Sequence, residues 1–205
     1  MKWYDIVAPV YDRAIRRTYL PYSRIAVQAL HLQPGKTVLD IGCGTGLNFE
    51  LILNSIGTSG TLIGIDSSVK MLARARKKVE QQGWKNVHLF QQDARKLDDS
   101  DFKSLTVSRI SIDSIICTLG FSVFPDWQAV FERSFDLLKN GGRYCIMDIY
   151  NNEVTLRTRI VNILAKADNS RRVWEPLRKR CDEYNEARYP SSHGDTVVIA
   201  SGTKR

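Results

Sequence analysis

The densest chemical signal in the chain is Val38-Leu39-Asp40-Ile41-Gly42-Cys43-Gly44-Thr45-Gly46. Glycines at alternate positions after an apolar run let a strand turn tightly and approach a ligand with no Cβ in the way. A turn with no ligand would give the same string, so the flanking acids matter. Asp66 stands twenty positions after Gly46, at the end of the next apolar run. A carboxylate there is placed to accept hydrogen bonds from both hydroxyls of a ribose, with a helix cap as its alternative role. Asp40 precedes the first glycine by two residues. A carboxylate at that point repels a pyrophosphate and attracts an ammonium or sulfonium. At roughly 4 Å and an effective dielectric near 20, the attraction is about 4 kcal/mol before desolvation. The G-x-G-x-G spacing also departs from the G-x-G-x-x-G of dinucleotide sites. A third acid, Asp93 in Gln91-Gln92-Asp93-Ala94, could pair with an adenine amino group. Acids closing three successive strands suit a cationic nucleoside.

Strands and helices must alternate to place these acids. Strands are expected over 37–41, 61–65, 86–90, 112–117 and 143–149, with helices over about 47–56, 69–82 and 129–138. Ser67 or Ser68 would cap the second of these helices and Gly83 would stop it. Apolar positions at helical spacing over residues 11–31 are expected to be broken at Pro21 into two short helices. After residue 150, Leu156, Ile160, Ile163, Leu164 and Ala167 form one apolar stripe, and 171–181 suggests a further helix. Two last strands are expected around 183–189 and 196–200. Alternation of this kind implies an α/β fold with a mostly parallel, seven-stranded sheet covered on both faces.

The 205 residues accommodate one such domain: N-terminal helices over 1–35, a core over 36–150, and a helical insertion with C-terminal strands over 151–205. A hydrophobic fraction of 43% with 25% charged residues excludes a disordered chain. No apolar stretch reaches the roughly 18 residues of a spanning helix, and no h-region follows Met1, so a secretory signal is not expected. Cys43, Cys117, Cys145 and Cys181 lie far apart without a C-x-x-C pair, so neither a disulfide framework nor a metal site is expected. The expected compartment is the cytoplasm. The net charge of +8 is concentrated, with +3 in residues 1–35 and +4 in residues 151–205.

The chain resembles the class I S-adenosylmethionine-dependent methyltransferases over about residues 36 to 150. The string at 38–46 is similar to the first motif of that family, and Leu137-Leu138-Lys139-Asn140-Gly141-Gly142-Arg143 to its turn into strand five. The resemblance implies a Rossmann-like sheet, S-adenosyl-L-methionine as cofactor and S-adenosyl-L-homocysteine as product. It places Asp40 and the Gly42, Cys43, Gly44, Thr45 and Gly46 backbone on the methionine portion, Asp66 on the ribose, Met71 against the adenine and Asp93 on its amine. Thr118 would lie beside the sulfonium and the incoming nucleophile. Asn48, Ser67, Gln92 and Ala94 complete the implied cofactor-binding set.

In-line methyl transfer needs alignment and a water-poor pocket more than a base. Asp148, Tyr150 and His193 are the candidates for a base, with structural or solvated roles as their alternatives; Tyr11 is a further candidate catalytic residue. Strand four ends in Cys117-Thr118-Leu119-Gly120-Phe121. That is neither the Asn/Asp-Pro-Pro-aromatic tetrapeptide of amine methyltransferases acting on bases nor the Pro-Cys of cytosine-C5 enzymes, which disfavours nucleic acid of those types.

The segment Tyr4-Asp5-Ile6-Val7-Ala8-Pro9-Val10-Tyr11-Asp12-Arg13 resembles the start of the ubiquinone/menaquinone-biosynthesis and bacterial phospholipid N-methyltransferases. In those groups a tyrosine such as Tyr11 closes over the cofactor; packing of the first helix is its alternative role here. The expected acceptor is a small molecule or a lipid, with phospholipid amines and quinone precursors foremost. The arginines of the two terminal segments are compatible with peripheral contact to an anionic membrane, or with solvated helix faces. The alternatives are RNA methylation and a cofactor-binding protein without transfer activity; a nicotinamide dehydrogenase is the weakest.

Overall fold

Seven strands form one sheet in the computed structural model, which describes residues 18–98, 100–102, 111–151, 167–190 and 195–205. The strands are β1 (Thr37–Ile41), β2 (Thr61–Asp66), β3 (Val87–Gln91), β4 (Ile112–Thr118), β5 (Leu138–Tyr150), β6 (Cys181–Pro190) and β7 (Thr196–Lys204). Their order is β3-β2-β1-β4-β5-β7-β6. β1 to β5 pair in parallel, and β7 runs antiparallel to both β5 and β6. The sequence-based reading of an α/β, mostly parallel seven-stranded sheet therefore holds.

The helices are α1 (residues 18–28), α2 (Phe49–Ile56), α3 (Val69–Gln82), α4 (Trp127–Leu137) and α5 (Glu175–Arg180). α3 begins where Ser68 accepts a hydrogen bond from Met71 N at 3.3 Å. It ends at Gly83, whose left-handed φ of 67° directs its N–H back to Val79 and Glu80 carbonyls. Apolar residues cover both sheet faces. Leu39, Ile41, Ile115, Ile146 and Val198 pack with α4 and α5 residues Phe131, Phe135 and Leu177. Val38, Ile116, Cys145 and Met147 pack with Ala26, Phe49 and Leu72 of α1, α2 and α3 and with Leu30 in the turn after α1.

Two hydrogen bonds orient α1. Tyr22 OH donates to Pro190 O at the end of β6, and Arg143 Nε donates to Ala29 O near the start of the parallel part of β5. α1 thus descends from the carboxyl end of the parallel strands towards their amino end. Its described residues run through Pro21 without the expected break. Pro21 only removes its own N–H donor, and the turns that follow keep theirs to the end of α1. The expected helix over 171–181 is confined to Glu175–Arg180: residues 171–174 precede it as a loop ending in a turn, and Cys181 already begins β6. The stripe from Leu156 to Leu164, Tyr11 and His193 lie outside the described residues. Among the described residues no helix is long and apolar enough to cross a membrane.

Candidate functional site

The sheet order reverses between β1 and β4, and the crevice above the carboxyl ends of such strands is where open α/β sheets bind ligands. Asp40 pairs in register with Gly64 of β2 and Ile116 of β4, so it stands at that reversal. It is fully buried. Asn48, the residue before α2, donates from Nδ2 to Asp40 Oδ2 at 3.2 Å and to Thr118 Oγ1 at 3.1 Å. One amide thereby ties together the ends of β1 and β4. Asp40 Oδ1 and Asn48 Oδ1 are buried without a hydrogen-bond partner. Burial raises the Asp40 carboxyl to about 7, the Asn48 hydrogen bond opposes this, and the nearby Asp66 charge adds to it. Two unpaired acceptors and a carboxyl with so high a pKa suit a cation that donates hydrogen bonds.

The glycine loop rises directly over this pair. Gly44 has φ 56°, and a Cβ there would have no heavy-atom neighbour within 4 Å, so its backbone faces open space. Gly46 has φ 76°, and its Cβ would stand 2.5 Å from the Phe49 ring. The two glycines serve different ends: one leaves room above the loop, the other lets the loop lie down on α2. Cys43 is a buried thiol inside the turn, with its N–H bonded to Ile65 O at 3.0 Å. Burial pushes that thiol well above its ordinary range. Thr45 lies half-buried in the same turn.

Asp66 closes the loop from the β2 side. Its Oδ2 accepts from Gly44 N at 2.9 Å and its Oδ1 from Ser68 N at 2.7 Å. Asp66 therefore acts on the turn before α3, while the side-chain cap of that helix is Ser68. Ser67 is exposed and Met71 is buried on the first turn of α3. Asp93 is engaged differently from the expectation drawn from the sequence. Both its oxygens accept from the Arg95 guanidinium, at 2.6 to 3.2 Å, and Oδ1 also accepts from Arg95 N. Those hydrogen bonds hold its carboxyl below the ordinary range. Gln92 N donates to Asp66 O at 3.1 Å, linking the β2 and β3 ends, and Ala94 is buried at the start of the 3-10 turn Ala94–Lys96.

Above β4, Leu119 adopts φ 56°, a region that costs a branched L-residue free energy and recurs at ligand sites. Its N–H donates to Met147 O at 2.8 Å. Asp148 is buried; its Oδ2 accepts from Ser122 N at 2.9 Å and its Oδ1 from Ile149 N at 2.8 Å. Burial raises its carboxyl, against those hydrogen bonds. With both oxygens on backbone N–H groups, Asp148 holds the β4 loop rather than facing it with a free base. Tyr150 packs edge-on against Trp174 at 5.1 Å, with the Arg188 guanidinium over both rings.

Sequence reasoning missed Phe124. Its Cζ is 3.2 Å from where a Gly42 Cβ would stand and 3.1 Å from the equivalent point on Gly120, so the ring tip is wedged between the β1 and β4 loops. Nothing in the local pattern distinguishes Phe124 from its neighbour Phe121; only the crossing of the loops does. The described arginines of the C-terminal segment also differ from a bare basic face. Arg171, Arg172, Arg178 and Arg180 pair with Asp168, Glu175, Glu186 and Glu132. No group of described His, Cys, Asp and Glu residues could hold a metal ion.

A doubly wound sheet with a glycine loop and acids at its switch point defines the class I methyltransferase architecture. The chain belongs to the methyltransferase domain family, which matches residues 32–195. It is 30% identical over 118 residues to an arsenite methyltransferase of Halobacterium salinarum, covering 58% of this chain and 28% of that one. It is 27% identical over 151 residues to a demethylmenaquinone methyltransferase of Listeria welshimeri, covering 72% and 61%. The chain thus spans less than two thirds of either relative. In three dimensions it is similar to geranyl diphosphate C-methyltransferase from Streptomyces coelicolor, solved with S-adenosyl-L-homocysteine, with a TM-score of 0.73 at 12% identity, covering 90% of this chain and 77% of that one.

Proposed function

We propose that this chain is an S-adenosylmethionine-dependent methyltransferase acting on a small-molecule or lipid acceptor. The observation that carries the reading is the pair of unpartnered buried acceptors, Asp40 Oδ1 and Asn48 Oδ1, beneath a glycine loop whose Gly44 faces open space. These residues fit the α-ammonium and backbone of a methionine portion. Asp66, whose Oδ2 accepts from Gly44 N of the same loop, fits the ribose, and Met71 fits a position against the adenine. Asp93 would meet the adenine amine only by sharing its oxygens with Arg95 or releasing it.

When bound, the cofactor supplies a methyl group activated on a sulfonium, with a neutral sulfide as the leaving group. The chain's own part is to bind, align and exclude water. Asp40 and Asn48 would hold the cationic end, and Thr118, which accepts from Asn48 at the β4 terminus, is the proposed residue beside the acceptor. The hydrogen bonds on Asp148 give it a positioning role. Tyr11 is the proposed lid; its support is that Tyr22, eleven residues further on, lies at the carboxyl end of the sheet, where its OH donates to Pro190 O.

A quinone precursor is the foremost acceptor class, since demethylmenaquinone methyltransferases are the relatives matched over 72% of this chain. A phospholipid amine is the second. The intramolecular pairing of Arg171, Arg172, Arg178 and Arg180 leaves membrane contact to the arginines nearer the N-terminus and in the insertion. The test is transfer of labelled methyl from S-adenosylmethionine to a quinone-precursor pool, a lipid extract and RNA. Label in the first supports the reading, label in RNA alone refutes the acceptor class, and no label in any refutes transfer.

A further inference from the structure

Arg171, one of the basic residues after the insertion, is turned inward. Its Nε pairs with Asp168 Oδ2 at 3.0 Å, and its Nη1 donates to Phe124 O at 2.7 Å and more weakly to Phe121 O at 3.4 Å. Asp168 is itself held: its N–H donates to Ser122 O at 2.7 Å, and its Oδ1 accepts from Ser170 Oγ at 2.6 Å. From the opposite side Asp148 accepts from Ser122 N. The turn over residues 120–124 is thus clamped between the end of β5 and the segment around 168–171. The clamped turn carries Phe124, whose N–H returns to Gly120 O at 3.0 Å and whose ring packs edge-on against Phe121 at 5.7 Å. The free end of that ring abuts Gly42, the first glycine of the loop.

We propose that Arg171 is a positioning residue that holds Phe124 as the wall of the glycine loop, so that the segment following the insertion sets the shape of the cofactor side of the crevice. The inference rests on the proposed function. A guanidinium is suited to this task because its planar fork serves an acid and two carbonyls at once, whereas a lysine offers a single ammonium centre. The charge of Arg171 is matched by Asp168, so its use is geometric and not a contribution to a basic surface.

The experiment is titration calorimetry of S-adenosylhomocysteine into the parent chain, Arg171→Lys, Phe124→Leu and the double variant, with melting temperature recorded for each. Arg171→Lys and Phe124→Leu are each expected to weaken binding by about tenfold, and the double variant by much less than the product of the two, as for contacting residues. Arg180→Lys, at an ion pair with Glu132 away from the loop, is expected to bind as the parent does. Parental affinity in Arg171→Lys, or full additivity in the double variant, overturns the proposal. Should Arg171→Lys fail to fold, parental affinity in Phe124→Leu overturns it equally. A parent chain that binds no S-adenosylhomocysteine instead contradicts the proposed function.

Discussion

Asn48 Nδ2 lies 3.2 Å from Asp40 Oδ2, joining the residue that precedes α2 to the buried end of β1. The bond satisfies one carboxylate oxygen and leaves the other bare, while burial, which that bond opposes, raises the Asp40 carboxyl to about 7. The same relationship makes ligand binding depend on pH. A cation arriving at Asp40 needs the ionised form, and below about 7 it must displace a proton. Affinity for S-adenosylhomocysteine is expected to be flat above that value and to fall by up to about tenfold per pH unit below it. Calorimetry in buffers of different ionisation enthalpy should record proton release near pH 6, and Asp40→Asn should abolish both effects.

Stability carries the opposite slope. Between the ordinary carboxyl value of 3.8 and about 7 the folded chain holds the Asp40 proton that the unfolded chain has lost. Unfolding therefore releases a proton, and the Asp40 contribution falls with rising pH by up to about 1.4 kcal/mol per unit across that window. Urea melts of the ligand-free chain and of Asp40→Asn, compared across the window, should differ in slope by this amount; parallel slopes would contradict it.

Gly44 and Gly46 should separate binding from folding. Gly46→Ala forces a Cβ to within 2.5 Å of the Phe49 ring at φ 76° and is expected to cost about 2–4 kcal/mol of stability. Gly44→Ala meets no atom at φ 56°, so about 1–2 kcal/mol is expected, but its methyl would fill the space a ligand needs. Thermal denaturation and calorimetry together check the inversion: Gly44→Ala is the more stable variant and the poorer binder.

Removing the Asp66 carboxylate by Asp66→Ala frees Gly44 N and Ser68 N and deletes the ribose acceptor. A loss of about 1.5–3 kcal/mol in S-adenosylhomocysteine binding is expected. Unchanged calorimetric affinity would remove Asp66 from the site.

Asp148→Asn tests positioning against proton transfer. An amide oxygen cannot accept as the two carboxylate oxygens do from Ser122 N and Ile149 N, so about 1–3 kcal/mol of stability should be lost. The pH dependence of transfer should keep its shape, whereas loss of an ionisation from that profile would restore Asp148 as a base.

The fold is legible in the sequence wherever local chemistry and tertiary role agree. The runs at Thr37–Ile41 and Thr61–Asp66 are apolar, rich in β-branched residues and closed by glycine or acid, and Ser68 with Gly83 bounds α3 as read. The line of acids is legible because each lies at or near a strand's carboxyl end: Asp40 one residue before the end of β1, Asp66 at the end of β2 and Asp93 two residues past β3. Less legible is what competes for them: Arg95 takes Asp93 from two positions away, and the pairing of Arg171 with Asp168 looks from the sequence like surface charge. Phe124 is hidden for another reason. Its partners Gly42 and Gly120 come together only when β1 and β4 become neighbours, a contact that no local pattern encodes. The continuity of α1 through Pro21 is likewise invisible, because the cost of a proline depends on its place in the helix.

The most direct test of a cationic-nucleoside site above β1 and β2 is the melting temperature of the chain with S-adenosylhomocysteine and, separately, with NAD. The account requires a rise with S-adenosylhomocysteine that is lost in Asp40→Asn, and no rise with NAD. Stabilisation by NAD alone would contradict it.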